Sequence, residues 1–361
     1  MEQVMKADHL IKDQLLQVMI DNEGSDMYIT VGTYPAIKIG GEIVKIDDGL
    51  DLFTPNDTME FAQSLISEKQ HNRLLEEKNL DFSFSHGDRR FRCNVSFQMS
   101  YYMVVLRLLT ADIPDIEDLG LPDIYKDVTK LGQGLILVTG PTGSGKTTTL
   151  AAMIDYINSN YTKHIITIED PIEYVHPHKQ SIMEHKEIGK DIPDYETGLI
   201  GAMRQNPQVI LFGEMRNQNE MEMALRLAET GHIVFSTLHT RSAYQTITRI
   251  LDSFSGEDKT QIRMQLADSL VAVFSQRLLK TQDGTGVKLA KEILVKNAAV
   301  ANLIRENDLH QIPSVIQMSS REGMQLLETD IIKLIQLGAI SEEEGLKYSN
   351  NPKLIKESLN T

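Results

Sequence analysis

The sequence predicts an α/β protein in which a smaller N-terminal α+β domain precedes a larger domain built on a parallel sheet. Three observations predict this. Between residues 134 and 240 short apolar runs alternate with helical segments, the pattern of a parallel sheet buried on both faces. Residues 27–108 instead show short strands around Gly-Gly and other turn signals, the pattern of an antiparallel sheet. Where the first apolar run meets the first helix of the larger domain lies Gly140-Pro-Thr-Gly-Ser-Gly-Lys146-Thr147.

From the N-terminus, Leu10-Ile11, Leu15-Leu16 and Met19-Ile20 recur at helical spacing and predict an amphipathic helix, ended by Gly24-Ser25-Asp26. Met27–Val31 and Ala36–Ile39 read as strands, and Gly40-Gly41 as a hairpin turn before Glu42–Ile46. One helix is expected from about Pro55 to Leu75. The alternating segments Asp81–Phe84, Arg90–Val95 and Tyr101–Leu108 complete a domain spanning 1–110 and ending near Thr110. Residues 111–133, with Asp-Ile-Pro-Asp-Ile-Glu-Asp and Gly-Leu-Pro, read as a linker with a short helix. In the remaining domain, 134–361, strands are expected at 135–139, 164–168, 208–212 and 232–237. From about Leu266 the pattern reads as mostly helical, with Leu266, Leu270, Val273 and Phe274 on one apolar face.

The run at 140–147 matches G-x-x-x-x-G-K-[ST] in the required strand–loop–helix context. Its glycines let main-chain N–H groups turn inward around phosphate oxygens. The candidate nucleotide-binding residues are Gly140, Pro141, Thr142, Gly143, Ser144, Gly145, Lys146, Thr147 and Thr148. Lys146 reaches the β/γ-phosphates, the Thr147 hydroxyl suits Mg²⁺, and the helix presents its positive end to the anion.

Two acidic boxes follow at strand C-termini, the edge where parallel sheets bind ligands. They are Thr167-Ile-Glu169-Asp170-Pro-Ile-Glu173 and Val209-Ile-Leu-Phe-Gly213-Glu214. Glu214 ends an apolar strand, as a Mg²⁺-associated acid does, although Gly213 stands where many such strands carry Asp. Not all of Glu169, Asp170 and Glu173 can touch the reacting groups. A third box, Ala228 to Thr240, places His232 before a strand and His239 after it, and His239 offers a polar donor for a γ-phosphate. Seven residues apart on a strand, the two point to opposite faces, which argues against a metal pair. His176-Pro-His178 reads as an exposed turn.

Composition bounds the rest. With 361 residues, 24% charged and 41% apolar, the chain reads as a soluble two-domain protein. Its net charge of −15 argues against bulk nucleic-acid binding. The single cysteine, Cys93, allows neither an intramolecular disulfide nor a Cys-based zinc cluster, and reads as a small core residue. No signal peptide is visible, and no apolar stretch approaches the roughly 18 residues of a membrane span, so a cytoplasmic location is expected.

Taken together, GPTGSGKT, TIEDPIEY, ILFGEMR and AETGHIVFSTLHT resemble the secretion and type IV pilus ATPases, with the order and spacing of the PilT/PilU retraction branch. The resemblance runs nearly end to end, from Gly24-Ser25-Asp26 onward. It implies a PAS-like N-terminal α+β domain, a RecA-like P-loop ATPase domain over 120–361 with a helical C-terminal region, and a homo-hexamer. It also implies that ATP binds between the two domains. Its implied roles are Glu173 as base for water, Glu214 as the acid near Mg²⁺, His239 as part of a histidine box, and Arg92 and Arg107 as arginine fingers. A planar, permanently charged guanidinium suits that last task. The implied partners are a membrane-embedded pilus platform protein, holding the ring at the inner face of the cytoplasmic membrane, and a paralogous pilus ATPase.

The chain departs from the branch at three places. Val300 and Ala301 replace Ile and Arg in an AIRNLIRE-like motif at 299–306, Asn217 stands where Asp is usual, and Tyr28 where His is frequent. The first leaves principal and accessory motors both open. Competing readings are an assembly or type II secretion ATPase, against which the single cysteine and short N-terminal region speak, and a non-catalytic partner of a motor, which the intact loop disfavours. A DNA-translocating ring is opposed by the net charge.

Overall fold

Along 90–96 buried residues alternate with partly exposed ones, so that Phe91, Cys93 and Val95 share the covered face of the first sheet. The computed structural model describes residues 2–109 except 48, and 112–360, with side chains from Ile11 onward. The expected boundary at Thr110, and the side chain of Leu10, lie outside the described residues. The chain divides into two compact units, Met1–Asp112 with Asp170–Val175, and Ile113–Glu169 with His176–Thr361.

The first unit carries α1 (Glu2–Asp21), β1 (Asp26–Ile29), β2 (Ala36–Ile39), β3 (Glu42–Lys45), α2 (Pro55–Leu65), α3 (Glu68–Glu77), β4 (Asn79–His86), β5 (Arg89–Gln98) and β6 (Tyr101–Leu109). The strands form an antiparallel sheet in the order β3-β2-β1-β6-β5-β4. On one face Met27, Ile29, Phe91, Cys93, Val95, Val104 and Leu106 are buried with Leu16, Met19, Phe61 and Leu74 of the helices. Where one helix was expected over 55–75, two form. Ile66 is extended, and Ser67 starts α3 with a capping box to Gln70. On the sheet's other face, cross-strand partners run Lys38–Asp26–Arg107–Arg92–Ser83 in one row.

The second unit contains α4 (Ile124–Thr129), β7 (Gly134–Thr139), α5 (Lys146–Asn160), β8 (His164–Glu169), β9 (Ile182–Glu187), α6 (Tyr195–Met203), β10 (Val209–Phe212), α7 (Gln218–Glu229), β11 (Ile233–Leu238), α8 (Ala243–Asp252) and α9 (Gly256–Ser269). Then come β12 (Leu270–Lys280), β13 (Val287–Val295), α10 (Ala298–Arg305), α11 (Ile312–Met318), α12 (Leu327–Gln336), α13 (Glu342–Tyr348) and α14 (Pro352–Leu359). The sheet order is β13-β12-β7-β11-β10-β8-β9, parallel except for the antiparallel β12–β13 pair. All six residues of β7 and all four of β10 are buried, as their unbroken apolar runs require.

Three parts differ from expectation. The linker segment contributes to this unit's core, where Ile116, Leu121 and Val128 are buried and Tyr125 stacks on Phe274 at 3.8 Å between centroids. The apolar face assigned to a helix over 266–274 is split: α9 ends at Ser269, and Leu270-Val-Ala-Val-Phe274 enters β12. A fully apolar, β-branched run buried on both faces carries no periodicity to separate helix from strand. The C-terminal helices therefore begin at Ala298. Strand β9, Ile-Met-Glu-His-Lys-Glu, went unread because an edge strand of this polarity lacks a strand pattern.

The β12–β13 hairpin buries charge. Glu292 is 5% exposed, and burial pushes its carboxyl up to about 7, reinforced by Glu328 and opposed by the Ala243 amide and by Arg277. Its folded value lies above its ordinary value of 4.5, so the native state holds this proton longer than the unfolded chain. The stability it contributes is present below pH 4.5 and is lost as pH rises to about 7. Glu292→Gln removes this dependence. The melting temperature of the variant relative to wild type is expected to rise between pH 5 and pH 8; a difference that does not change with pH contradicts the assignment.

Candidate nucleotide site

The C-terminal ends of β7, β8, β10 and β11 share one edge of the parallel sheet. From β7 the chain enters the phosphate loop with φ of 148° at Gly140, 76° at Gly143 and 84° at Gly145. L side chains avoid these values. At Gly140 space also forbids a side chain, since a Cβ there would lie 2.4 Å from Ser144 Oγ and 2.6 Å from the Gln276 carbonyl oxygen on β12. Gly145 is the N-cap of α5, which begins at Lys146, so the first free amides of the helix open onto the loop. The Lys146 ammonium donates to the carbonyls of Gly140 and Pro141, at 3.0 and 3.2 Å. Ser144 Oγ is buried and has no hydrogen-bond partner among the described residues, which suits a loop shaped for an anion. Thr147 and Thr148 follow on the first turn, both partly exposed.

The acids separate into two groups. Glu214 follows β10, and its carboxylate meets His239 Nε2 at 3.1 Å and Arg216 Nε at 3.2 Å. The main chain between them is fixed: Thr237 Oγ1 donates to the Gly213 carbonyl at 2.7 Å, and Gly213 N to the Ile168 carbonyl at 2.9 Å. A Cβ at Gly213, where many such strands carry Asp, would lie 3.3 Å from the Tyr195 hydroxyl and 3.4 Å from the Ile168 carbonyl, a tight fit that needs those neighbours to shift by a few tenths of an ångström. Asn217 caps α7 through a box with Glu220, a task Asn and Asp perform equally well. Sequence reasoning missed Arg216; its place two residues after Glu214 was the available signal.

Glu173 belongs to the first unit, within the segment Asp170–Val175. Its carboxylate is 3.8 Å from Arg92 Nη1, and Arg90 Nε donates to the Ile172 carbonyl at 2.9 Å. Arg107 stands directly across from Arg92, and its Nε donates to Asp26 at 2.8 Å. Asp26, read from sequence only as a helix-ending signal, is thus a buried counter-ion. Glu169 is buried and Asp170 exposed. His232 accepts from or donates to Thr230 and meets the Leu227 carbonyl at the start of β11, a structural place.

His176 does not lie in an exposed turn. It is buried, stacked on His185 at 5.7 Å and 3.6 Å from Asp155, whose carboxyl it holds below its ordinary value together with Lys179; His178 remains exposed. Val300 and Ala301 are buried on α10, so the residues that depart from the AIRNLIRE-like pattern fill core positions.

The model of the type II/IV secretion system protein family matches residues 62–345. The chain belongs to that family. It is 36% identical to the type IV pilus ATPase PilU of Pseudomonas aeruginosa over 94% of its length and 88% of the relative's. It is 38% identical to the type IV pilus retraction ATPase PilT of the same organism, over 94% and 98%. A crystal structure of the pilus retraction motor PilT with bound ADP is 44% identical, covers 96% of this chain and 98% of its own, and superposes with a TM-score of 0.90. The chain is an ATPase of this family, with the α/β architecture described.

Gly140→Ala is expected to weaken ADP binding by about tenfold or more, because the conformation and the contact with Gln276 are both lost. Titration with a fluorescent ADP checks this; wild-type affinity contradicts the account of the loop.

Proposed function

We propose that this protein is an ATP-hydrolysing motor of type IV pilus retraction, withdrawing pilin subunits at the base of the pilus. The observation that carries the reading is the complete set of phosphate loop, Glu214–His239 pair and Glu173–Arg92 pair on a chain that matches a retraction motor over 96% of its length. In this reading the protein is a homo-hexamer. Its ATP-driven motion of the N-terminal unit against the ATPase unit acts on a membrane-embedded platform protein, and a paralogous pilus ATPase shares the task. Among the described residues no helix is long and apolar enough to cross a membrane. The ring is therefore proposed to sit at the inner face of the cytoplasmic membrane by protein contact.

The residues divide the chemistry. Amides of the loop and Lys146 hold the phosphates of ATP. Thr147 and Glu214 offer a hydroxyl and a carboxylate, hard oxygen donors that suit Mg²⁺, which when bound neutralises phosphate charge. Glu173 orients and deprotonates water. Arg92 and Arg107 stabilise charge on the transferring phosphoryl group, and His239 senses the γ-phosphate while holding Glu214.

Lys146→Ala is expected to reduce phosphate release at least about 100-fold. Glu173→Gln is expected to keep ATP affinity and lose turnover; normal hydrolysis by this variant removes Glu173 from the role of base. In cells, deletion of the gene leaves surface pili that no longer retract, seen as lost twitching under the microscope. Cells without pili overturn the retraction reading in favour of assembly.

A further inference from the structure

The main chain that leaves His239 is held by the C-terminal hairpin, through groups that no role described above uses. Arg277 on β12 is 4% exposed. Its Nη2 donates to the Arg241 carbonyl at 2.8 Å, and its Nη1 to the Gln276 carbonyl at 2.7 Å. That Gln276 carbonyl is the one that Gly140 packs against, and the Gln276 amide donates to Thr149 of α5 at 2.8 Å. One guanidinium therefore bridges the strand backing the phosphate loop and the turn two residues after His239. From β13, Glu292 Oε1 accepts from Ala243 N at 2.6 Å, fixing the first residue of α8. Asn350 Nδ2 reaches the Arg241 carbonyl at 3.4 Å, and Glu328 of α12, 4% exposed, accepts from the amides of Asn350 and Asn351 and from Ser349.

A buried guanidinium and two buried carboxylates are costly compared with apolar residues of equal volume, so their presence is not explained by packing. The bonds of Arg277 and Glu292 run to the main chain on either side of the turn that follows His239, at Arg241 and Ala243, while Gln276, next to Arg277, packs its carbonyl on Gly140 of the phosphate loop. We propose that Arg277 and Glu292 are positioning residues for hydrolysis, holding the His239 turn in register with the phosphate loop through β12. The proposal rests on the ATPase reading. It places the link between nucleotide sensing and the C-terminal helices in the β12–β13 hairpin.

The test uses full-length Arg277→Met, Arg277→Lys and Glu292→Leu proteins. Lysine carries one ammonium on a flexible stem and does not reproduce a planar fork that spans two carbonyls, so Lys is expected to fail as Met does. For each variant kcat is expected to fall about tenfold or more, while affinity for fluorescent ADP changes less than about threefold. Hydrogen exchange of the amides at 240–246, measured without nucleotide, is expected to quicken in all three while the amides of β7 and β11 stay protected. Exchange at 240–246 as slow as in wild type, or wild-type kcat in Arg277→Met, overturns the proposal. Joint loss of ADP affinity and of protection throughout the sheet also overturns it, in favour of a purely structural role. A wild-type protein that hydrolyses no ATP overturns the ATPase reading instead, and the exchange measurement still decides the brace.

Discussion

The close approach of Gly140 to the Gln276 carbonyl is the constraint on which the rest of the ATPase unit depends. It brings β12 against the phosphate loop so tightly that not even a methyl group fits. The loop then takes the positive φ values that turn its amides inward, and α5 starts at Lys146 with its amides facing the same space. Because β12 also pairs with β7 from Leu270 to Ser275, the strand that leads into the loop and the strand that backs it are neighbours in one sheet. Tyr125, stacked on Phe274 of the same strand, ties the segment after residue 112 to that frame.

Electrostatics organise the first unit in a comparable way. Arg92 and Arg107 face each other across β5 and β6, and like charges in that position repel. Asp26 offsets one guanidinium at 2.8 Å, and Glu173 approaches the other at 3.8 Å. The arrangement leaves Arg92 half-exposed, with Glu173 at 3.8 Å, and Arg90 ties the segment bearing Glu173 to the sheet through the Ile172 carbonyl.

Much of this was legible in the sequence, for identifiable reasons. The phosphate loop depends on residue identity at fixed spacing, and the parallel strands are bare apolar runs. Both survive without tertiary information. Glu214 and His239 were legible as strand-end residues, but not their mutual contact, because it arises from the adjacency of β10 and β11. Other features were hidden. Leu270–Phe274 is apolar on both faces and carries no period; β9 is polar because it lies at an edge; His176 is polar in sequence but covered by Asp155 and His185. Asp26 lies 81 residues from Arg107 and Arg241 lies 36 from Arg277, so neither contact follows a local pattern.

The central claim, that the glycine-built loop and Lys146 grip the phosphates of ATP, is tested most directly by a structure of the assembled protein with a non-hydrolysable ATP analogue and Mg²⁺. The account predicts phosphate oxygens within hydrogen-bond distance of the amides of Gly143 to Thr147. It also predicts that Lys146 leaves the carbonyls of Gly140 and Pro141 for the β/γ-phosphates, with Thr147 and Glu214 on the metal's side. A nucleotide bound elsewhere, with Lys146 still on those carbonyls, would contradict it.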